Sequence, residues 1–213
     1  MEINVESKNW FIRLASHLRT VTGACVLVAS ACAQTPPAVQ EPGSSYDIPI
    51  LNAYFADDVL FCDAGAACFS SGVTGWICGA LTGIFKPGSA QYPTGIPNGT
   101  NVVAVGSSLV TGSIVQTTGY TLSANTTYAL TVTLGARADA AFTGYKVSLM
   151  AGNVVIASDG SAQPAPGTFV KELITVNTGD SPPQLGLPLQ IRISSLGSGQ
   201  VNINGVSLVA IVR

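Results

Sequence analysis

Histidine is almost missing from this chain of 213 residues: one occurs, His17. It lies in a segment built like an export leader, so the mature chain is expected to carry no imidazole. Ser-His-Asp and Cys-His nucleophile systems are then excluded, and so is metal binding through histidine. Charge is scarce too. Lys, Arg, Asp and Glu make up 9% of the residues. They form no basic stripe or basic helix, which excludes nucleic acid and an anionic membrane surface as partners. The apolar run at 21–31 covers 11 residues, too few for a membrane span of roughly 20. No stretch beyond the leader carries a helical stripe of apolar residues.

What is present begins with that leader. Lys8, Arg13 and Arg19 precede the apolar run, which passes into Ala29-Ser30-Ala31-Cys32. A positive head, a short apolar middle and a small-residue exit make residues 1–34 a bacterial export signal. Two readings stay open. An ordinary signal peptidase can cut after "ASA" or "ACA", or Cys32 is the lipid anchor of a lipoprotein whose acyl chains are its only hold on the membrane. Residues 35–45, rich in Pro, Gly and Ser, read as a flexible tether. The protein is therefore expected outside the cytoplasm, either extracellular or anchored to the outer membrane.

Residues 46–213 then form one domain, large enough to bury a core without metal or disulfide. Beyond Cys32 the chain carries six Lys or Arg and nine Asp or Glu, a formal charge of −3. Its polarity comes mainly from hydroxyls and amides. Three body cysteines remain, Cys62, Cys68 and Cys78. Export favours a disulfide; Cys62–Cys68 closes a small loop and leaves Cys78 over. Three cysteines without a histidine do not match a zinc spacing.

Period-two alternation and β-branched runs recur between Gly, Pro and Asn clusters. They predict strands at 102–105, 113–117, 127–136, 145–151, 153–158, 168–176, 189–195 and 201–211. In "TYALTVTLGAR" one face carries Tyr128, Leu130, Val132 and Leu134, the other Thr127, Ala129, Thr131 and Thr133. "SLMAGNVVIAS" and "SSLGSGQVNI" read as hairpins. The fold class is all-β, an antiparallel β-sandwich of about 8–10 strands.

Four stretches then carry a resemblance. "IPILNAYFAD" at 48–57 resembles the opening strand of jelly-roll, galactose-binding-like domains, with their N-G-x-F-E motif. "VTGWICG" at 73–79 resembles their V-x-G-W strand. "GIPNGTNVVAVG" followed by "GSIVQTTGYTLSANTTYALTVTLGAR" resembles their long central stretch, and "QVNINGVSLVA" at 200–210 the closing strand. The ordered set is similar to exported bacterial surface proteins and carbohydrate-binding modules. In such modules the Glu of the opening motif and the Asp of the closing strand help to hold a structural calcium. Here those places are Ala56 and Asn204, so the resemblance implies no cofactor and a weakened or lost calcium site. Asp57 and Asp58 are the only substitutes in reach.

With no histidine and few carboxylates, the expectation is a protein that is not an enzyme and has no catalytic residues. The candidate ligand-binding residues are Trp76 and Tyr92 as stacking rings, with Gln91, Asn98 and Thr100 as hydrogen-bonding partners in the same loop as Tyr92. Arg137 and Asp139 form a rim pair. The bland alternatives are a core Trp76, a loop packed by its own Tyr92, and a surface ion pair. The expected partner is a polysaccharide or cell-surface glycan. The competing expectation is a structural subunit of an extracellular matrix, layer or filament that self-associates. A minor third reading is a small hydrolase using Asp residues.

Overall fold

The computed structural model of the protein describes residues 41–62 and 66–213. His17, the leader, Cys32, the tether up to residue 40 and Asp63 lie outside the described residues. The described residues contain strands and turns and no helix. In chain order the strands are β1 Ser45–Ile48, β2 Cys68–Ser71, β3 Ile77–Cys78, β4 Thr82–Lys86, β5 Val102–Val105, β6 Ser113–Thr121, β7 Thr126–Ala136, β8 Tyr145–Ala151, β9 Val154–Asp159, β10 Thr168–Asn177, β11 Pro188–Ser195 and β12 Val201–Val212. They make two sheets. The larger runs β10-β7-β12-β5-β4-β2, with β1 also paired to β12; the smaller runs β3-β6-β11-β8-β9. Every ladder between these strands is antiparallel. The architecture is the expected sandwich.

The core lies between the sheets and follows from the alternation. Tyr128, Leu130, Val132 and Leu134 of β7 are fully buried, facing Ile191, Ile193, Val147 and Leu149 across the sandwich. Each such side chain stabilises the fold by about 1.5–3 kcal/mol on burial. One buried acid enters this layer. Glu172 of β10 accepts hydrogen bonds from the Tyr145 hydroxyl and from Ala162 N–H, which satisfies it without a cation. Burial, and then Glu172, push the Tyr145 phenol above its usual range.

Three expectations are corrected. The opening motif is not a strand beyond Ile48. It runs into turns, because Asn52 and Phe55 adopt φ of 49° and 59°, outside any sheet geometry. "VTGWICG" is a tight turn closed by a Val73–Trp76 bridge, and only Ile77–Cys78 pairs onward, with β6. "SSLGSGQVNI" is not a hairpin: β11 lies in the smaller sheet and β12 in the larger, so this segment crosses between sheets. The other hairpin, β8–β9, forms around Gly152 at φ 58°. The last residues of the expected tether are held too, since Gly43 N–H donates to Val212 and Val212 N–H donates to Ser44.

Candidate functional site

Strand register puts a polar patch on the outer face of the larger sheet. Because side chains alternate, the residues of β7 that do not enter the core face outward. Their cross-strand partners do the same. One row is Lys171–Thr133–Gly205 and the next is Leu173–Thr131–Ser207, across β10, β7 and β12. A bulge in β12 between Ile203 and Gly205 sets the second half of that strand in phase with β7. Above these rows lies a depression of about 130 Å³, lined by Thr131, Thr133, Lys171, Gly205, Val206 and Ser207 and walled by Tyr54 and Asn98. The Tyr54 ring rests on Gly205. A Cβ there would sit 3.2 Å from the ring carbons, so glycine sets how low the ring can lie. Tyr54 is 54% exposed, which leaves much of the phenol facing solvent.

The same face is covered next to the depression by the loop at 87–101. Phe85, Val102 and Ala104 project outward from β4 and β5 and form a second apolar cluster with Ile96 and Phe169. Tyr92 stacks on Phe169 at 4.4 Å between ring centroids and donates its hydroxyl to Asn202 Oδ1 at 2.7 Å. Gly135 makes room for this pair, as a Cβ there would collide with Phe169. Burial raises the Tyr92 phenol above its usual range and keeps it a donor. Arg137 lies over the Phe85 ring at 5.0 Å and grips Asp139 with two 2.8 Å contacts. Asp139 in turn accepts from Gln91 Nε2 at 2.7 Å. The Arg137 guanidinium, aided by Gln91, lowers the Asp139 carboxyl to about 2.

The expected ligand residues therefore fall in different places. Tyr92 is 1% exposed and Gln91 is buried: both hold the loop down and offer no surface. Trp76 is 8% exposed, with its Nε1 donating to the Leu51 carbonyl at 3.0 Å, so it is a core residue. Arg137 and Asp139 pin the same loop. Thr100 is exposed beside Asn101. Asn98 alone of the set lines the depression. Tyr54, Thr131, Thr133, Lys171 and Ser207 were not singled out. Their signal was the polar half of the alternation in β7 and β12, which reads equally well as a wet sheet face. Cys62 and Cys68 form a disulfide, and Cys78 is a free thiol.

The implied calcium site does not fit the donors present. Among the described residues no group of three or more His, Cys, Asp or Glu could hold a metal ion. Asp58 is committed to Thr74 N–H, the Thr74 hydroxyl and Asn52 Nδ2. Asn204 is fully buried, and its amide nitrogen faces the backbone carbonyls that a cation would need.

Residues 46–209 match the HpiC1-like family, described as HpiC1 cyclase. Solved structures agree. An apo-form cyclase from Fischerella sp. shares 26% identity and superposes with a TM-score of 0.69, over 78% of this chain and 97% of that one. The Stig cyclase Fisc from Fischerella sp. TAU, in complex with (3Z)-3-(1-methyl-2-pyrrolidinylidene)-3H-indole, gives 26%, 0.70, 80% and 100% for the same measures. A cyclase from Fischerella sp. TAU in complex with 4-(1H-indol-3-yl)butan-2-one gives 27%, 0.68, 79% and 99%. No curated protein matches. These likenesses overturn four expectations: the kinship with carbohydrate-binding surface modules, the non-catalytic role, the polysaccharide partner and the extracellular-matrix subunit. The motifs that suggested a glycan module are those of the shared sandwich, and a sandwich does not specify its ligand.

Proposed function

The chain belongs to the HpiC1-like cyclase family, and from that membership we propose that it closes a ring within a small, flat aromatic substrate of the indole class. The observation that carries this reading is the depression on the outer face of the larger sheet, with the Tyr54 ring, three hydroxyls and the Lys171 ammonium around one space. The Tyr54 ring supplies a stacking surface, worth about 0.5–1.5 kcal/mol beyond the area it covers. Thr131, Thr133 and Ser207 stand on two adjacent rows and orient polar atoms of the substrate by directional hydrogen bonds. A ring closure moves charge within one molecule and needs the reacting ends held together. Where that charge develops as negative on nitrogen or oxygen, the lining group able to meet it with a full positive charge is Lys171 Nζ. Asn98 adds an amide at the opposite wall.

The place of action is proposed from the sequence: the export leader and the Cys62–Cys68 disulfide suit an oxidising compartment outside the cytoplasm. The protein is either secreted or held by a lipid on Cys32.

The test is a titration of the full chain with 4-(1H-indol-3-yl)butan-2-one, the compound bound by one Fischerella cyclase, followed by amide NMR. Thr131, Thr133, Gly205 and Ser207 are expected to shift. Tyr54→Ala is expected to weaken binding by about 1–3 kcal/mol, roughly 5–150-fold. A second, separate groove is lined by residues 57–60, 70–74 and Ile84; shifts confined to it would move the site there and refute this assignment.

A further inference from the structure

Four backbone carbonyls meet two side-chain amides where the loop at 51–58, the loop at 98–101 and β12 come together. Asn204 Nδ2 donates to the carbonyls of Asn98 and Asn101, at 2.8 Å and 3.0 Å. Asn101 Nδ2 donates to the carbonyls of Phe55 and Asp58, at 3.2 Å and 2.7 Å. Carbonyl oxygens gathered from separate loops are what a hard cation such as calcium uses to join them. Here each pair closes on an NH2 group instead. The orientation of Asn204 is set by its other end: Oδ1 accepts Asn98 N–H at 2.8 Å. That N–H requires an oxygen opposite it, so nitrogen has to face the two carbonyls. Each NH2 group has two hydrogens and meets two acceptors. Asn204 is fully buried and Asn101 nearly so, which removes water as a competing partner.

We propose that Asn101 and Asn204 form an amide clasp that stands in for a bound cation, joins the Tyr54 loop to β12, and makes this fold indifferent to calcium. The clasp grips the residue after Tyr54, through the Phe55 carbonyl. On the other side the Ala53 carbonyl accepts Val206 N–H at 3.0 Å. Tyr54 is thus held from both flanks, and its place over Gly205 depends on amide donors and no metal. The inference goes beyond the cyclase reading and stands without it.

The experiment is thermal melting of the full chain in EDTA and in millimolar calcium, with calcium calorimetry on the EDTA-treated protein. The wild type is expected to melt at one temperature in both and to show no calcium binding. Asn204→Asp puts a carboxylate oxygen against two carbonyl oxygens. It is expected to melt several degrees lower in EDTA and to recover with calcium, whereas Asn204→Ala is lowered and does not recover. A wild type stabilised by calcium or weakened by EDTA overturns the proposal. So does an Asp variant that melts like the wild type in EDTA, or one that calcium cannot restore. If Asn204→Asp does not fold, Asn101→Asp is subject to the same comparison and the wild-type measurements decide independently.

Discussion

Tyr92→Phe removes one oxygen atom and nothing else, and its effect can be worked from the contacts around it. The Tyr92 hydroxyl donates to Asn202 Oδ1 at 2.7 Å, and Asn202 is fully buried on the outer side of β12. The amide's other end reaches Gln200 Oε1 at 3.4 Å. The variant keeps the ring, its stack on Phe169 and its fit against Gly135. It leaves a buried amide oxygen without that donor. Such an orphaned acceptor costs about 1–3 kcal/mol, more than the net worth of an ordinary hydrogen bond. For a domain of this size that lowers the melting temperature by roughly 2–12 °C. The assay is urea unfolding at neutral pH with Tyr92→Phe, Asn202→Leu and the double variant. The midpoint of Tyr92→Phe should fall with unchanged slope. The double variant should lose less than the two single losses combined, since the deserted acceptor is gone. Binding of the indole probe by folded Tyr92→Phe should be unaltered. A neutral Tyr92→Phe, or additive losses, would refute the reading of Tyr92 as the anchor of the loop.

Lys171→Met should reduce the proposed ring closure by up to about 10²–10³-fold in kcat, the scale of one lost donor at a developing charge, with little change in stability because the residue is exposed; a kcat near wild type would remove Lys171 from the chemistry. The Asp139 carboxyl lies below its ordinary value in the folded state, so its contribution is complete above about pH 4 and is lost as pH falls toward 2. Because the pair is partly exposed, the loss is about 1 kcal/mol or less after solvent screening; Asp139→Asn should flatten that part of the pH–stability curve, and an unchanged curve would contradict the assignment. Cys32→Ser should release the protein from the membrane fraction if Cys32 is lipidated, whereas unchanged fractionation with a mature N-terminus at Gln34 would establish simple secretion.

Strands β6, β7 and β11 were legible because one face is buried more deeply than the other and the pattern alternates, as in β7 with Tyr128, Leu130, Val132 and Leu134. The short strands β1, β2 and β4 were not anticipated. Four or five residues give few repeats from which to read a period, and β4 is buried on both faces, so it does not alternate; β5, equally short and buried, was legible only because three of its four residues are valine. Crossing from β11 to β12 looks like a hairpin locally, because Gly and Ser turns serve both purposes. The site was least legible. Its hydroxyls and Lys171 come from strands remote in sequence and meet only through register, while Tyr92 and Trp76 looked like binding rings until their burial was known. The ligand class lay beyond reach for a different reason: sandwich motifs report packing, and packing is common to proteins with unrelated chemistry.

The loop at 87–101 turns one end of the larger sheet into the middle layer of three, with Phe85, Val102 and Ala104 as the second interior. The depression begins where that cover stops. Its size is thus governed by how far a surface segment advances over the sheet, a quantity that insertions and deletions can change while the sandwich stays as it is. The cover already meets Tyr54 at Asn98, since both stand over Gly205; a shorter cover would bare Gly135 and Phe169 and lengthen the open floor along β7, and a longer one would extend from Asn98 across that floor. Within this architecture, then, the room left open over the sheet can change through loop length alone, without altering the core.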